Sequence, residues 1–545
     1  SQYALRLEGW ICLMIQLFNS GSSCKTMETN FDSLEYEKER LKEIYSLLYP
    51  NDRVLLMIAT DDEFSRPVSI RYQESHQFLR VCRSNYVNLE LGVEKFPVPT
   101  KIFRLTFNYR NEALVRGDAR QSLRRRVINQ IRQVISHRAP LVYEWIKERY
   151  QKRRDRCSNS YDRLLNLENP KNQHGSLRKQ HISESKAALV CMHWLDVGGA
   201  EAFAVDSCCL YREKGYETIV LSAHNGRRHY FEKLASFYTV YEVDRQIPVG
   251  EESRFICALI KQRGISIVHN HHNDHFYESL PSLRVLAPNI KVIDSLHIDE
   301  KNRFGGGFPR ISIVWANYID YHHVISRRLM QLLKLNGVHS QNVIMGHLGK
   351  GLIPPANFSI IDSLASKKLR LCFVGRMSGQ KRPLLVLAML AWAVKEGRRK
   401  GVDVSVDMVG DGPYLGALES CLKHTGVKSA FVLHNAGANV EELMERSDML
   451  VLGSENEGIT LVAYEAFRNG CLVVSTNVGA QSELVPDEML LPADVVGAYK
   501  QWKRLYRRIL GDMNFVQQAK VNFIRKAQAI RSAPSAEEVI IKLLD

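Results

Sequence analysis

The sequence predicts an α/β protein with two tandem, doubly wound Rossmann-like domains facing across a cleft, preceded by an α+β N-terminal domain. Three observations lead to this fold class. Short apolar runs alternate with helically spaced segments from residue 187, the alternation restarts after a proline-bearing segment near residue 351, and residues before 186 follow neither pattern. A chain of 545 residues is long enough for two or three hydrophobic cores.

Composition places the domain boundaries. The stretch ahead of Met27 is predicted as an extension or tag, and the polar stretch "QKRRDRCSNSYDRLLNLENPKNQHG" as a linker. The resulting segments are the extension 1–26, a basic α+β domain 27–150, the linker 151–185, a first Rossmann-like domain 186–350 and a second one 351–545.

Each Rossmann-like domain is predicted from its buried strands. "AALVCMHW", "ETIVLSA", "SIVHNHH", "KVIDSLHI" and "HHVIS" are β-branched runs in the first domain, and "LRLCFVGRM", "VSVDMVGDG", "AFVLHNA", "DMLVLGS" and "CLVVSTN" are their counterparts in the second. Strands that alternate with helices form a parallel sheet covered on both faces. Ligands of such sheets bind beyond the carboxyl ends of the strands, so the two domains should share one cleft.

The charge of the chain is uneven. The net charge is +15, and residues 101–156 hold sixteen Lys and Arg against five Asp and Glu. This segment is interpreted as solvated charge, as a surface for an anionic membrane or, less favoured, as a nucleic-acid contact. Eleven cysteines without a CxxC pair suit a reducing compartment, and the run "GWICLMIQLF" is too short to span a bilayer. We therefore expect a cytoplasmic protein, with peripheral contact to the inner face of the membrane as an open alternative.

The stretch "SENEGITLVAYEAFRNG" carries the first chemical signal. Glu457 follows a predicted strand, and Glu465 lies two turns along the next predicted helix. The N–H groups at Gly458, Ile459 and Thr460 are at the helix N-terminus, which favours a phosphate.

Matching loops follow other strands of the same domain. "GRMSGQK" supplies Arg376 and Lys381, which are suited to neutralise phosphate oxygens. "VGDGP", with Gly410, and "NVGAQSE" are tight strand-to-helix turns at the same end of the sheet.

These motifs carry a family resemblance. "FVGRMSGQKRP", "MVGDGP", "SENEGITLVAYEAF" and "STNVGAQSELV" resemble, in order and spacing, the retaining group 1 (GT4-like) glycosyltransferases of the GT-B fold. "DVGGAE", "IVHNHH" and "DSLHID" are similar to that family's glycine-rich loop, fourth strand and histidine-bearing loop. The resemblance covers about residues 187–530 and says nothing of the earlier chain.

The resemblance implies a role for each matching residue. Arg376 and Lys381 would hold the donor diphosphate, Glu465 the ribose hydroxyls and Glu457 the transferred sugar, while His297 would lie near the departing oxygen. His297, Glu457, Arg376 and Lys381 are the implied catalytic set. The implied donor-binding residues are Gly198, Gly199, Arg376, Lys381, Gly410, Gly458, Ile459, Thr460, Leu461 and Glu465, with His271 and His272 on the acceptor side.

The implied activity is transfer of a hexose from a nucleotide diphosphate sugar to a glycan or lipid-linked acceptor, as in bacterial surface polysaccharide or lipopolysaccharide synthesis. No cofactor and no metal are expected, because arginine and lysine stabilise the leaving group. Ile459 and Thr460 stand where many members have an aromatic residue followed by glycine or proline, which leaves the donor sugar open. Alternatives are a 2-epimerase or phosphorylase of the same architecture, or a binding protein that uses the basic N-terminal segment.

The segment "HNHHNDH" at 269–275 also invites a metal interpretation, because four histidines and an aspartate crowd together. A strand end that enters a loop sends successive side chains in different directions, and no cysteine lies nearby. The sequence therefore favours a cleft-lining role for His271 or His272 over a metal site.

Overall fold

The computed structural model describes the two predicted Rossmann-like domains almost completely and the N-terminal region in part. The predicted extension 1–26 and the predicted linker beyond residue 157, up to 185, lie outside the described residues. The described residues are 33–48, 54–59, 71–72, 86–91, 101–106, 135–136, 139–157, 186–196, 198–226, 228–248, 250–300, 307–348, 352–353, 355 and 358–544.

The N-terminal region contributes a small mixed sheet and two helices. Its sheet has the order β2-β4-β1-β3, with β1 and β4 parallel and the other pairs antiparallel. The elements are α1 (Ser33–Leu48), β1 (Val54–Ala59), β2 (Arg71–Tyr72), β3 (Tyr86–Leu91), β4 (Lys101–Thr106) and α2 (Pro140–Cys157). The last helix therefore extends seven residues into the stretch that composition predicts as a linker.

The two N-terminal helices pack on different domains. On α1, the Tyr36 hydroxyl accepts a hydrogen bond from the Val240 N–H at 2.7 Å, in the first Rossmann-like domain. On α2, Lys147 donates to the Gly379 carbonyl at 2.9 Å, and Glu148 accepts from a backbone N–H, both in the second domain. The N-terminal region thus contacts both domains.

The first Rossmann-like domain is a seven-stranded parallel sheet of order β11-β10-β9-β8-β5-β6-β7. Its strands are β5 (Ala187–Met192), β6 (Glu217–Ser222), β7 (Thr239–Glu242), β8 (Ile267–His271), β9 (Lys291–Leu296), β10 (Tyr321–Val324) and β11 (Val343–Met345). Its helices are α3 (Gly199–Glu213), α4 (Phe231–Ala235), α5 (Val243–Gln246), α6 (Glu252–Gln262), α7 (Asp274–Leu286), α8 (Gly307–Val314) and α9 (Arg327–Leu335).

The second domain is a six-stranded sheet of order β14-β13-β12-β15-β16-β17, again parallel. Its strands are β12 (Lys368–Val374), β13 (Asp403–Val409), β14 (Phe431–His434), β15 (Met449–Leu452), β16 (Leu472–Thr476) and β17 (Leu490–Leu491). Its helices are α10 (Ile360–Ala365), α11 (Pro383–Arg399), α12 (Leu415–Lys423), α13 (Val440–Glu445), α14 (Leu461–Arg468), α15 (Gln481–Leu484), α16 (Val495–Gly511) and α17 (Met513–Arg531).

The pattern of burial explains both sheets. All six residues of β5 are buried, as are all four of β15, because helices cover both faces of a parallel sheet. Two such sheets confirm the predicted fold class. Among the described helices, none has both the length and the apolar character that a bilayer crossing needs.

The end of the chain returns to the first domain. After α17 the His347 N–H donates to the Pro534 carbonyl, and the Ala536 N–H donates back to the His347 carbonyl, each at 3.0 Å. The final helix, α18 (Ala536–Leu544), buries Val539 and Ile540. The C-terminal segment therefore ties the second domain to the first.

Candidate active site

In each sheet the strand order changes direction at one strand, and predicted site residues lie just after the strands at these two switch points. In the first sheet β5 lies between β6 and β8, and in the second β12 lies between β13 and β15. A crevice opens beyond the carboxyl ends of strands at such a switch point. Gly198 and Gly199 follow β5, Arg376 and Lys381 follow β12, and Glu457 follows β15.

The two switch points meet at Gly458 and His297. A Cβ added to Gly458 would lie 1.6 Å from the His297 carbonyl oxygen. Gly199 faces the same partner domain, because its added Cβ would contact the Leu461 side chain at 3.5 Å. Gly199 and Gly458, two of the sequence-predicted glycines, therefore lie where the two domains touch.

Side-chain contacts also join the domains. Arg328, on α9, donates from Nε to Asp299 at 2.7 Å and from Nη1 to the Gly479 carbonyl of the second domain at 3.0 Å. Glu483, on α15, accepts from the Arg327 N–H at the start of α9 at 2.8 Å. A carboxylate is favoured at a helix N-terminus, so this contact stabilises the observed domain arrangement.

The loop after β12 is held by its neighbour. The Met377 N–H donates to the Asp411 carbonyl at 2.8 Å, and Gly410 has a positive φ of 138°. A side chain at Gly410 would meet the Gly375 carbonyl oxygen at 2.1 Å, so both its conformation and its surroundings require glycine. Arg376 projects from this loop and is exposed.

Lys381 and Glu457 form an ion pair. The Lys381 ammonium lies 2.5 Å from a Glu457 oxygen, and both side chains are largely buried. The sequence assigns Lys381 to the diphosphate and Glu457 to the sugar, and the structure brings the two together across the switch point. A ligand that binds either group must therefore compete with the other.

Glu465 lies on α14, with Ala463, Tyr464, Ala466 and Phe467 buried around it. Burial raises the pKa of its half-buried carboxyl, with a smaller opposing effect from Arg468. Within the described part of the chain, that carboxylate accepts no hydrogen bond. A half-buried acceptor of this kind is suited to the hydroxyls of a ligand.

The start of α14 has its own support. The Thr460 side chain does not cap the helix, and its hydroxyl instead accepts from the Gln481 amide at 2.7 Å. Ile459 is buried, and Leu461 faces Gly199. The hydroxyl of Thr460 thus already accepts a hydrogen bond within the second domain, and its O–H and the backbone N–H groups nearby are the donors that a ligand could use.

His297 belongs to a group of buried histidines at the ends of β8 and β9. Its Nε2 lies 3.2 Å from Nδ1 of His271, and its backbone N–H donates to Nε2 of His272 at 3.2 Å. Burial lowers the pKa of His297 to about 3 and that of His271 well below its ordinary value, so both rings are neutral at physiological pH. His271, predicted as cleft-lining, is buried against Phe203.

The segment "HNHHNDH" divides into two sets. His269 lies inside the sheet, where it contacts the Tyr211 hydroxyl at 3.2 Å and the Ser295 hydroxyl at 2.7 Å. Asp274 and His275 instead contact His224 and Asp244, which follow β6 and β7. The side chains diverge as the sequence indicates, but the second set joins partners far away in the chain.

That second set centres on His224. Its Nδ1 lies 2.8 Å from Asp244, and its Nε2 lies 2.8 Å from Asp274. His275 holds the other oxygen of Asp244 at 2.9 Å. Hydrogen bonds that His224 donates to Asp244 and, with a smaller effect, to Asp274 raise the pKa of His224 to about 10.

Glu201 is a site residue that sequence reasoning missed. Its carboxylate folds back to within 2.1 Å of a Cβ added at Gly198, at the N-terminus of α3, and its charge interacts with Arg376 across the cleft. Burial raises the pKa of this carboxyl, with its own backbone N–H and Arg376 opposing. The signal was available in "GGAE", where an acid follows the glycines by two residues in the first helical turn.

The family comparison concerns the second domain. Residues 358–511 match the family described as glycosyl transferases group 1. The second domain is a group 1 glycosyl transferase domain. This glycosyl transferase domain contains Arg376, Lys381, Glu457 and Glu465, whereas Gly198 and Gly199 of the predicted donor-binding set lie outside the matched residues.

One curated relative matches in sequence. N-acetyl-alpha-D-glucosaminyl L-malate synthase of Bacillus anthracis is 27% identical over 169 residues, which are 31% of this chain. The match spans only 36% of the length of that relative.

Solved structures are similar at low identity. Anabaena HepE in complex with UDP and glucose has a TM-score of 0.45 at 15% identity, covering 63% of this chain and 98% of its own. The pneumococcal O-GlcNAc transferase GtfA in complex with UDP and GlcNAc has a TM-score of 0.47 at 12% identity, covering 66% and 98%.

Proposed function

We propose that this chain is a retaining glycosyltransferase that moves a hexose from a nucleotide diphosphate sugar to a glycan or glycolipid acceptor. The observation that carries the proposal is the Lys381–Glu457 pair across the switch point, with Arg376 on the loop after β12 and Glu465 on the helix after β15. Across the cleft, the backbone carbonyl of His297 lies against Gly458. Cations, a hydroxyl acceptor and a sugar-facing acid are what a nucleotide sugar requires.

The donor site would act mainly by electrostatics. Cleavage of the sugar–phosphate bond leaves negative charge on the diphosphate, and fixed cations at that position lower the barrier. Arg376 and Lys381 are the cations, and the backbone N–H groups at the start of α14 add to them. We expect no metal on this donor side, because the two side chains supply the charge.

Glu465 would bind the ribose of the nucleotide. A carboxylate accepts hydrogen bonds from two neighbouring hydroxyls, and Glu465 has no competing donor among the described residues. Because burial already raises the pKa of this carboxyl, hydroxyl donors would stabilise its charged form.

His297 would face the transferred sugar as a neutral ring. Its low pKa excludes an imidazolium at physiological pH, so it serves as a hydrogen-bond partner rather than a cation. Its Nδ1 is buried without a hydrogen bond in the described structure, and a sugar hydroxyl would satisfy it. Attack of the acceptor on the face that the diphosphate leaves would give retention.

A membrane-linked acceptor is consistent with the surface of α2. Val142, Ile146 and Tyr150 are 48%, 45% and 60% exposed on this helix, and the Arg149 guanidinium lies over the ring of Trp145. An apolar stripe beside basic side chains binds anionic lipid surfaces. We include peripheral membrane contact, and a role in bacterial surface polysaccharide or lipopolysaccharide synthesis, in the proposal on this basis.

Donor binding and turnover of a Glu465→Ala variant test the proposal. A set of nucleoside diphosphates and their sugars is screened by thermal shift, and turnover of the best donor is measured by mass spectrometry. Loss of the ribose contact is expected to lower kcat/KM about 100-fold, or about 2.7 kcal/mol, with an unchanged melting temperature.

Glu419→Ala is the matched control, because Glu419 is an exposed glutamate on a helix of the same domain. The control is expected to behave as the wild type. Binding of no nucleoside diphosphate by the wild type, or full turnover by Glu465→Ala, would reject the assignment.

A further inference from the structure

The ends of four adjacent strands place metal-ligating side chains together on the first domain. His193 follows β5 by one residue, His224 follows β6 by two, Asp244 follows β7 by two, and Asp274 follows β8 by three. These strands are neighbours in the order β8-β5-β6-β7, so their carboxyl ends lie side by side. No role in the proposed donor chemistry uses these side chains.

We propose that His193, His224 and Asp274 hold a divalent transition-metal ion of the zinc class. One ligand atom from each of the three lies within 4.8 Å of the others, and His224 Nε2 lies 2.8 Å from Asp274 Oδ1. Zinc bonds of about 2.0–2.2 Å place tetrahedral ligand atoms roughly 3.3 Å apart, so small side-chain shifts suffice. Two imidazoles and one carboxylate are a donor set that zinc prefers.

The surroundings of His224 already resemble those of a metal ligand. His224 Nδ1 lies 2.8 Å from Asp244 Oδ2, so an ion would bind at Nε2, in place of the proton that now faces Asp274. His275 in turn fixes the other Asp244 oxygen at 2.9 Å. A carboxylate behind a histidine orients the ring and raises its basicity as a ligand.

A rival arrangement uses the same ring from its other side. His224 Nδ1, Asp244 and His275 also have ligand atoms within 4.8 Å of one another. In that arrangement Asp244 is a ligand and loses its orienting role, and it is the exposed member of the set. We therefore favour the set with His193, and the experiment separates the two.

The site lies on the acceptor side of the cleft. The His193 ring is 5.3 Å from that of Phe308, which stacks on His272 at 4.3 Å, and His272 accepts from the His297 N–H. Three protein ligands leave at least one coordination position for an oxygen of another molecule. Resting on the proposed function, we assign the ion to the binding of the acceptor, apart from the donor diphosphate.

Calorimetric titration of the metal-free full chain with Zn²⁺ tests the site. The wild type is expected to bind one tight equivalent, and His193→Ala or Asp274→Asn to lose it. Asp244→Asn is expected to weaken binding about 10- to 100-fold through the orientation of His224. His424→Ala, at an exposed histidine of the second domain, is the matched control and is expected to keep the tight equivalent.

Each result has a defined meaning. If His275→Ala loses the tightly bound zinc ion and His193→Ala keeps it, the rival set of ligands replaces ours. No tight equivalent in the wild type, or its retention in Asp274→Asn, would leave only an ion-pair network and overturn the proposal. Removal of the metal by a chelator is expected to leave the affinity for nucleoside diphosphates unchanged, so a lower affinity would contradict the acceptor-side assignment. If neither the metal-bound nor the metal-free protein binds a nucleoside diphosphate, the proposed donor site itself is contradicted.

Discussion

Replacement of Gly458 by alanine tests whether the observed contact between the domains is the catalytic one. The added Cβ would lie 1.6 Å from the His297 carbonyl oxygen and 2.8 Å from its carbon, whereas real Cβ contacts stay above about 3.0 Å. The oxygen must therefore move by about 1.4 Å. The φ of Gly458 lies outside the left-handed region, so alanine adds no local strain and the whole effect comes from the other domain.

A displacement of this size separates His297 from the predicted sugar site. Misplacement of a catalytic group by about 1 Å costs on the order of 100-fold in rate, which corresponds to about 2.7 kcal/mol. We expect kcat/KM of Gly458→Ala to fall by at least that factor. The melting temperature should change little, because the clash lies between domains and opening the cleft relieves it.

Donor turnover, thermal unfolding and small-angle scattering measure these effects. The radius of gyration of Gly458→Ala should exceed that of the wild type with donor present, since the cleft cannot close. Gly416→Ala is the control, because its added Cβ meets nothing within 4 Å. Turnover of Gly458→Ala within threefold of the wild type would refute the reasoning.

Three further predictions concern buried charges. Lys381→Met should destabilise the fold by stranding the Glu457 carboxylate, and adding Glu457→Gln should restore the melting temperature but not turnover. Glu201→Gln should tighten nucleoside diphosphate binding about two- to fivefold, because the carboxylate competes at a helix N-terminus near Arg376; unchanged or weaker binding in calorimetry would contradict this. Burial raises the pKa of Asp294 to about 6 from 3.8. The protonated carboxyl therefore contributes about 3 kcal/mol to the free energy of unfolding below pH 4, and this contribution is lost as pH rises through 6. The melting temperature of Asp294→Asn should rise relative to that of the wild type between pH 4 and pH 7. Melting temperatures that change with pH in parallel for the two proteins would contradict this prediction.

The sheets were predictable because their strands are buried on both faces. Apolar runs such as "AALVCM" predict strands from their composition alone, and their alternation with helices predicts that the strands are parallel. The packing of α2 on the second domain was not predictable, because it rests on Lys147 reaching a carbonyl 232 residues away. Local sequence carries no information on such a contact.

The motifs locate the candidate site residues along the chain, but they do not reveal which side chains pair. Arg376, Lys381 and Glu457 follow strand ends and Glu465 lies on α14, as the motifs predict. The Lys381–Glu457 pair depends on β12 and β15 being neighbours, a fact of sheet order that spacing does not reveal. The set around His224 is hidden for the same reason, since its members come from separate strands.

The pairing of Lys381 with Glu457 gives the site an order of events. The histidines opposite are neutral, and Lys381, one of the cations at this edge beside Arg376, is already neutralised by Glu457. We infer that an arriving diphosphate takes over Lys381 and releases Glu457 to the hydroxyls of the sugar, since both oxyanions compete for one ammonium. The coupling of the two side chains in a double-mutant cycle should then shrink at saturating nucleoside diphosphate. A coupling that nucleotide leaves unchanged would show that the pair is structural and that the sugar is held by other groups.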